Sequence, residues 1–171
     1  MMIDGIGVLF RGPPGCGKSE LALELLRRGH RLVADDLVIL CRRGDTLIGT
    51  SVEQARGSLA VRGLGILDTP ALFGHDAVCE SAPVDTIVDL GPPSAVPGQD
   101  DLLGHPPMRT VLDSVTIPKL ILTGAPGSIA LPTRAECLIR QFALQTGGPH
   151  TAAKAPTQLE GSPEAWSETC D

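Results

Sequence analysis

Gly12-Pro13-Pro14-Gly15-Cys16-Gly17-Lys18-Ser19 matches the pattern G-x-x-x-x-G-K-[ST]. The apolar run Val8-Leu9-Phe10 precedes it, and Glu20-Leu21-Ala22-Leu23-Glu24-Leu25-Leu26-Arg27-Arg28 follows it with helical spacing. Strand, glycine loop and helix in that order are the setting in which this pattern cradles phosphates, and they point to an α/β fold. The glycines allow backbone angles that a Cβ resists, so successive N–H groups can converge on a polyphosphate. The helix N-terminus adds unpaired N–H groups and a partial positive charge. Gly12 to Glu20 would therefore bind the phosphates of a nucleotide. Lys18 would reach the β- and γ-phosphates, and the Ser19 hydroxyl would ligate Mg²⁺.

Working outward, the strand covers Gly7 to Phe10 and the helix Lys18 to Arg28, with Gly29 as its C-terminal cap. Arg31-Leu32-Val33-Ala34 reads as a short strand ending at Asp35-Asp36. Adjacent carboxylates make poor core residues. At a strand end near a γ-phosphate, one could hold Mg²⁺ and the other could accept a proton from an attacking hydroxyl. A solvated turn with two surface aspartates is the other reading.

Leu37 to Leu40, a turn at Arg42-Arg43-Gly44-Asp45, and Thr46 to Thr50 read as a hairpin. Gly57 to Gly74 reads as a turn-rich segment. Thr86 to Leu90 is a strand, and the Pro/Gly-dense stretch Gly91 to Pro107 a long mobile loop. Val115-Thr116-Ile117 and Leu120-Ile121-Leu122 are expected as separate short strands interrupted by Pro118. The final helix is expected over Thr133 to Gln145, with Thr133 as N-cap and Glu136 completing a capping box. Residues 1–146 are expected as one domain and 147–171, rich in Pro, Ala, Thr, Ser and Glu, as a disordered tail.

Composition narrows the function. Hydrophobic residues make up 42% of the 171, but the aromatics are only Phe10, Phe73, Phe142 and Trp166, so the core is aliphatic. The formal charge of −6 and the shortage of stacking platforms argue against a nucleic-acid partner. The five scattered cysteines form no CxxC pair, which argues against zinc or a disulfide framework. Cys16, inside the loop, is either a redox-sensitive thiol or a tolerated small residue. No apolar stretch is long enough to cross a membrane and no signal peptide is recognisable, so a cytoplasmic protein is expected.

Three segments in order resemble the catalytic domain of HPr kinase/phosphorylase. They are Gly12 to Glu20, Arg28-Gly29-His30-Arg31-Leu32-Val33-Ala34-Asp35-Asp36, and Arg62-Gly63-Leu64-Gly65-Ile66 leading to Leu72-Phe73-Gly74. The clear match covers roughly residues 5–75. The resemblance implies a P-loop catalytic domain with a mixed β-sheet core flanked by helices. It also implies ATP and Mg²⁺ as cofactors and the phosphocarrier HPr as partner, phosphorylated on a serine and in many members dephosphorylated by phosphorolysis. Asp35 would be the base, Lys18 and Ser19 would bind phosphates and Mg²⁺, and Asp36 would support the metal. Arg62 to Gly74 would line the site, and His30 would be structural. A hexamer is the assembly implied.

Departures stand beside it. Ala60 occupies a position where the family carries a metal-site glutamate. The upstream histidine, the large N-terminal domain and the arginine of an Arg-Leu-Gly element (Leu102-Leu103-Gly104 here) are absent from this sequence. A nucleotide-binding regulator with weakened catalysis is the alternative. A small-molecule kinase is disfavoured because Gly91 to Pro107 offers no Lys or Arg for a lid.

Overall fold

A computed structural model describes residues 1–91 and 108–147. The strands are β1 (Met2–Ile3), β2 (Ile6–Arg11), β3 (Val38–Arg43), β4 (Thr46–Ser51), β5 (Ser58–Val61), β6 (Gly65–Asp68), β7 (Ser81–Pro83), β8 (Thr86–Gly91), β9 (Met108–Leu112) and β10 (Val115–Thr123). The helices are α1 (Lys18–Arg27), α2 (Thr69–Phe73) and α3 (Ala130–Thr146). The expected loop after Gly91 and the expected tail from Gly148 lie outside the described residues.

The fold is mixed α/β. Among the described residues the main sheet has the order β1-β2-β8-β10-β9. β2, β8 and β10 are parallel, and β1 and β9 join antiparallel at the edges. Parallel strands that share an end leave a crevice outside their C-termini, where ligands of such sheets bind. The glycine loop leaves β2 at that end.

α1 is held on two sides. Leu21 and Leu25 pack on Val8, Val88 and Leu90 of the sheet and on Ala135, Ile139 and Phe142 of α3. Ala22 and Leu26 pack with Leu32, Leu59 and Val61. The opposite face of the sheet buries Ile87 and Ile117 against Leu47 of β4. Leu25 is fully buried, and truncating such a leucine to alanine costs about 2–5 kcal/mol. The helix that begins at Lys18 is thereby a rigid mount for the loop before it.

Several expected elements change. Arg31 to Ala34 forms no strand. Leu32 and Val33 are buried as their apolarity demands, but the segment is pinned only by single bridges, Met2 to Arg31 and Leu32 to Val78. The stretch from Gly57 to Gly74 contains a hairpin, β5–β6, and then α2, whose N-cap Asp68 accepts from the Ala71 N–H at 3.0 Å. The interruption at Pro118 disappears, because β10 is one nine-residue strand. Its ladder to β8 begins only at Lys119, so the missing proline N–H falls outside that ladder.

α3 starts three residues earlier than expected, and the capping box is not formed. Pro132 fits the first turn, where an N–H has no helical partner. Thr133 and Glu136 face α1 instead of capping. The turn of the β3–β4 hairpin is confined to Gly44-Asp45, with Arg42 and Arg43 still paired in β3.

Candidate functional site

The glycine loop is shaped by close approach. A Cβ on Gly12 would stand 2.7 Å from Cys16 Sγ and 2.8 Å from the Leu90 carbonyl oxygen, so no larger residue fits the turn out of β2. Gly17 has φ +92° at the N-cap of α1 and offers no capping side chain, which leaves the first N–H groups of the helix open. Lys18 folds back over the loop, its Nζ donating to the carbonyls of Gly12 at 3.1 Å and Pro13 at 3.3 Å. A cation resting on backbone carbonyls is ready to exchange them for phosphate oxygens.

A cleft of about 520 Å³ opens above the loop, lined among others by Lys18, Ser19, Glu20, Asp36, Ala60 and Arg62. Gly12, Pro14, Gly15 and Gly17 supply its backbone wall. Pro13 and Cys16 do not line it. Pro13 contributes its carbonyl to Lys18 and to the Cys16 N–H, and Cys16 Sγ lies 3.9 Å from Lys18 Nζ. Arg62 reaches over from the β5–β6 hairpin, its Nη2 3.4 Å from where a Gly15 Cβ would stand.

The two aspartates diverge, although they lie in a bend and not on a strand. Asp36 is exposed and lines the cleft. Asp35 turns into a smaller hollow bordered also by Lys18 and Asp36. Its Oδ1 accepts from the Ser19 hydroxyl at 3.2 Å, and its Oδ2 accepts from the Ala60 backbone N–H at 2.8 Å. Partial burial pushes the Asp35 carboxyl above the usual range. The Ala60 N–H opposes this, neighbouring Asp36 adds to it, and Ser19 and Lys18 oppose it. A carboxylate raised this way is a stronger base once ionised.

Among the described residues no three His, Cys, Asp or Glu side chains converge as a ready metal cage. Ser19, Asp35 and Asp36 nevertheless supply the hard oxygen donors that suit Mg²⁺, which is commonly held by one or two carboxylates together with substrate phosphates.

The profile of the HPr Serine kinase C-terminal domain family matches residues 1–158. The chain belongs to this family. Relatives include a protein named HPr kinase/phosphorylase from an Exiguobacterium species, 40% identical over 159 residues, which are 92% of this chain and 50% of the relative. Another of that name, from Stenotrophomonas maltophilia, is 43% identical over 158 residues, 90% of this chain and 49% of the relative. The chain thus spans about half the length of the curated relatives it matches. The solved structure titled Hpr(Ser) kinase/phosphatase from Coxiella burnetii is 37% identical, with a TM-score of 0.79 over 85% of this chain and 88% of that one. Membership in the HPr serine kinase family rests on nearly the whole chain, well beyond residues 5–75.

For a member of this family, one contact at the candidate site escapes any reading of side chains. The grip on Asp35 comes from the peptide N–H of Ala60, and a backbone donor carries no residue signature. Arg62 is reached by the resemblance alone, through the Arg-Gly-Leu-Gly segment. No helix among the described residues is long and apolar enough to cross a membrane.

Proposed function

We propose that the chain is the catalytic domain of an ATP- and Mg²⁺-dependent kinase that phosphorylates a serine of HPr. The observation that carries this reading is Asp35. It is half-buried, its carboxyl is raised, and it is fixed by Ala60 N–H and Ser19 Oγ beside the glycine loop.

The glycine loop and the N-terminus of α1 bind the triphosphate, and Lys18 leaves the Gly12 and Pro13 carbonyls to pair with its terminal phosphates. Ser19, Asp36 and phosphate oxygens would hold Mg²⁺, which neutralises charge on the phosphates when bound. Asp35 takes the proton of the HPr serine hydroxyl. The serine oxygen then bonds to the γ-phosphorus, and the bond from that phosphorus to the ADP oxygen breaks. Arg62 stands across the cleft, where charge builds on the transferring group. In the reverse direction an oxygen of inorganic phosphate attacks the phosphoserine phosphorus, and the bond from that phosphorus to the serine oxygen breaks. Asp35, protonated beforehand by the phosphate, gives that proton to the serine oxygen, and pyrophosphate forms. The cytoplasm is the setting for both directions.

Incubation with ATP, Mg²⁺ and HPr, read by intact mass, tests the proposal. The expected outcome is one added phosphate on HPr. An unmodified HPr together with bound nucleotide would overturn the kinase reading in favour of a nucleotide-binding regulator. Ala60 is the observation that supports that second reading, since it lines the cleft without a carboxylate.

A further inference from the structure

A second hollow adjoins the phosphate cleft and has no part in the reaction described above. It is a groove of about 290 Å³, at the lower end of cavities that hold small molecules, roughly 300–1,000 Å³. One wall is α1, through Glu20, Leu21 and Glu24. The other is the loop after β10 and the first turn of α3, through Ser128, Ile129 and Pro132. The groove and the phosphate cleft share Gly17 and Glu20, so they join where the glycine loop enters the helix. The walls meet closely there, because a Cβ on Gly17 would lie 3.3 Å from Pro126 Cα.

The two hollows differ in the groups free to meet a ligand. The cleft holds Lys18, Arg62 and the open helix N-terminus beside Asp36. The groove is lined by Glu20, which also borders the cleft, and its other charges are already engaged, Arg27 with Glu24 at 2.9 Å and Arg28 with Glu136. A carboxylate accepts from hydroxyl and amino groups. Ile129 adds an apolar surface that the fold leaves unused, since it is 93% exposed. An uncharged, donor-rich ligand end with a flat apolar ring, tethered to phosphates on the glycine loop, matches these walls.

We propose that this groove seats the nucleoside end of the nucleotide, with the base against Ile129 and the ribose hydroxyls donating to Glu20. The proposal rests on the phosphate-binding role of the glycine loop, and its test separates the two. Titration calorimetry on the full chain with Mg²⁺ compares ATP with inorganic tripolyphosphate, which has the phosphates without the nucleoside. ATP is expected to bind at least about tenfold more tightly, and Ile129→Ser to remove about tenfold of the ATP affinity while leaving tripolyphosphate within about twofold. Ile129 is exposed at the start of α3 and belongs to none of the core clusters, so the variant keeps the fold. Equal binding of ATP and tripolyphosphate by the wild type, or an Ile129→Ser protein with unchanged ATP affinity, would overturn the groove assignment alone. Failure of tripolyphosphate itself to bind would overturn the phosphate role of the loop and the groove assignment with it.

Discussion

The two ends of α1 are built on opposite terms. At its C-terminal end Arg27, Arg28 and His30 each have a carboxylate partner. Arg28 donates to Glu136 Oε2 at 2.6 Å and to Thr133 Oγ1 at 3.1 Å, and buried His30 meets Glu136 Oε1 at 2.9 Å. Asp4, at the turn between β1 and β2, lies 3.8 Å from His30 Nδ1 and accepts from Arg140 Nε at 2.7 Å. These contacts fasten α1, α3 and the β1–β2 turn together. At the N-terminal end, Lys18 donates to the Gly12 and Pro13 carbonyls, the first N–H groups have no side-chain cap, and Asp36 lines the cleft while Asp35 turns into the hollow beside it. Matched charge marks the part that holds shape, and charge resting on backbone carbonyls marks the part proposed to do chemistry. That is how burial and pairing separate structural from functional polar groups.

The contrast is broken most severely at Asp35. Asp35→Asn keeps the size and one acceptor but removes the base, so phosphate transfer to HPr is expected to fall about 10³-fold, roughly 4 kcal/mol of barrier. Nucleotide affinity should remain within about threefold of wild type. Single-turnover transfer and equilibrium binding measured on the same preparation check this, and a parallel loss of binding would count against the base role.

Glu136→Ala attacks the other end of the helix. It strands Arg28 and a buried His30, and the expected cost is about 2–3 kcal/mol of folding stability with no direct effect on the cleft. Burial alone would raise the Glu136 carboxyl. The hydrogen bonds and charges of His30 and Arg28 outweigh it and hold the group below the usual glutamate range. Its contribution is therefore present at neutral pH and is lost as the pH falls through the depressed pKa. The stability gap between wild type and Glu136→Ala, read from urea midpoints, should narrow in acid.

The smallest effect sharpens the comparison. The proposed transfer requires ionised Asp35, whose raised carboxyl is expected to place the acid limb of the rate profile above the ordinary aspartate range. Asp36→Asn removes a like charge, so that limb should move to lower pH. A limb that stays in place would mean that burial alone sets the base.

The N-terminal end of α1 was legible and the C-terminal end was not, for one reason. The glycine loop is contiguous in sequence, and its chemistry demands particular residue types at fixed spacing. The brace joins Arg28 and His30 to Glu136 across more than a hundred positions, and there Thr133 and Glu136 imitated a capping box. The β5–β6 hairpin was hidden because its strands are four residues each and bracketed by glycines. Pro118 made one strand look like two, because a sequence does not show on which side of a strand the missing N–H will fall. The Asp35-Asp36 pair was visible as chemistry, yet what fixes Asp35 was not, since its partner is a main-chain group.

That main-chain partner has a consequence for how the site can change over generations. Because the peptide of residue 60 steadies Asp35, the side chain at that position is released from the task. Alanine, glutamate or another residue can occupy it while Asp35 keeps its hydrogen bond. Lineages can therefore alter the ligands around the phosphates through position 60 without first rebuilding the proton acceptor.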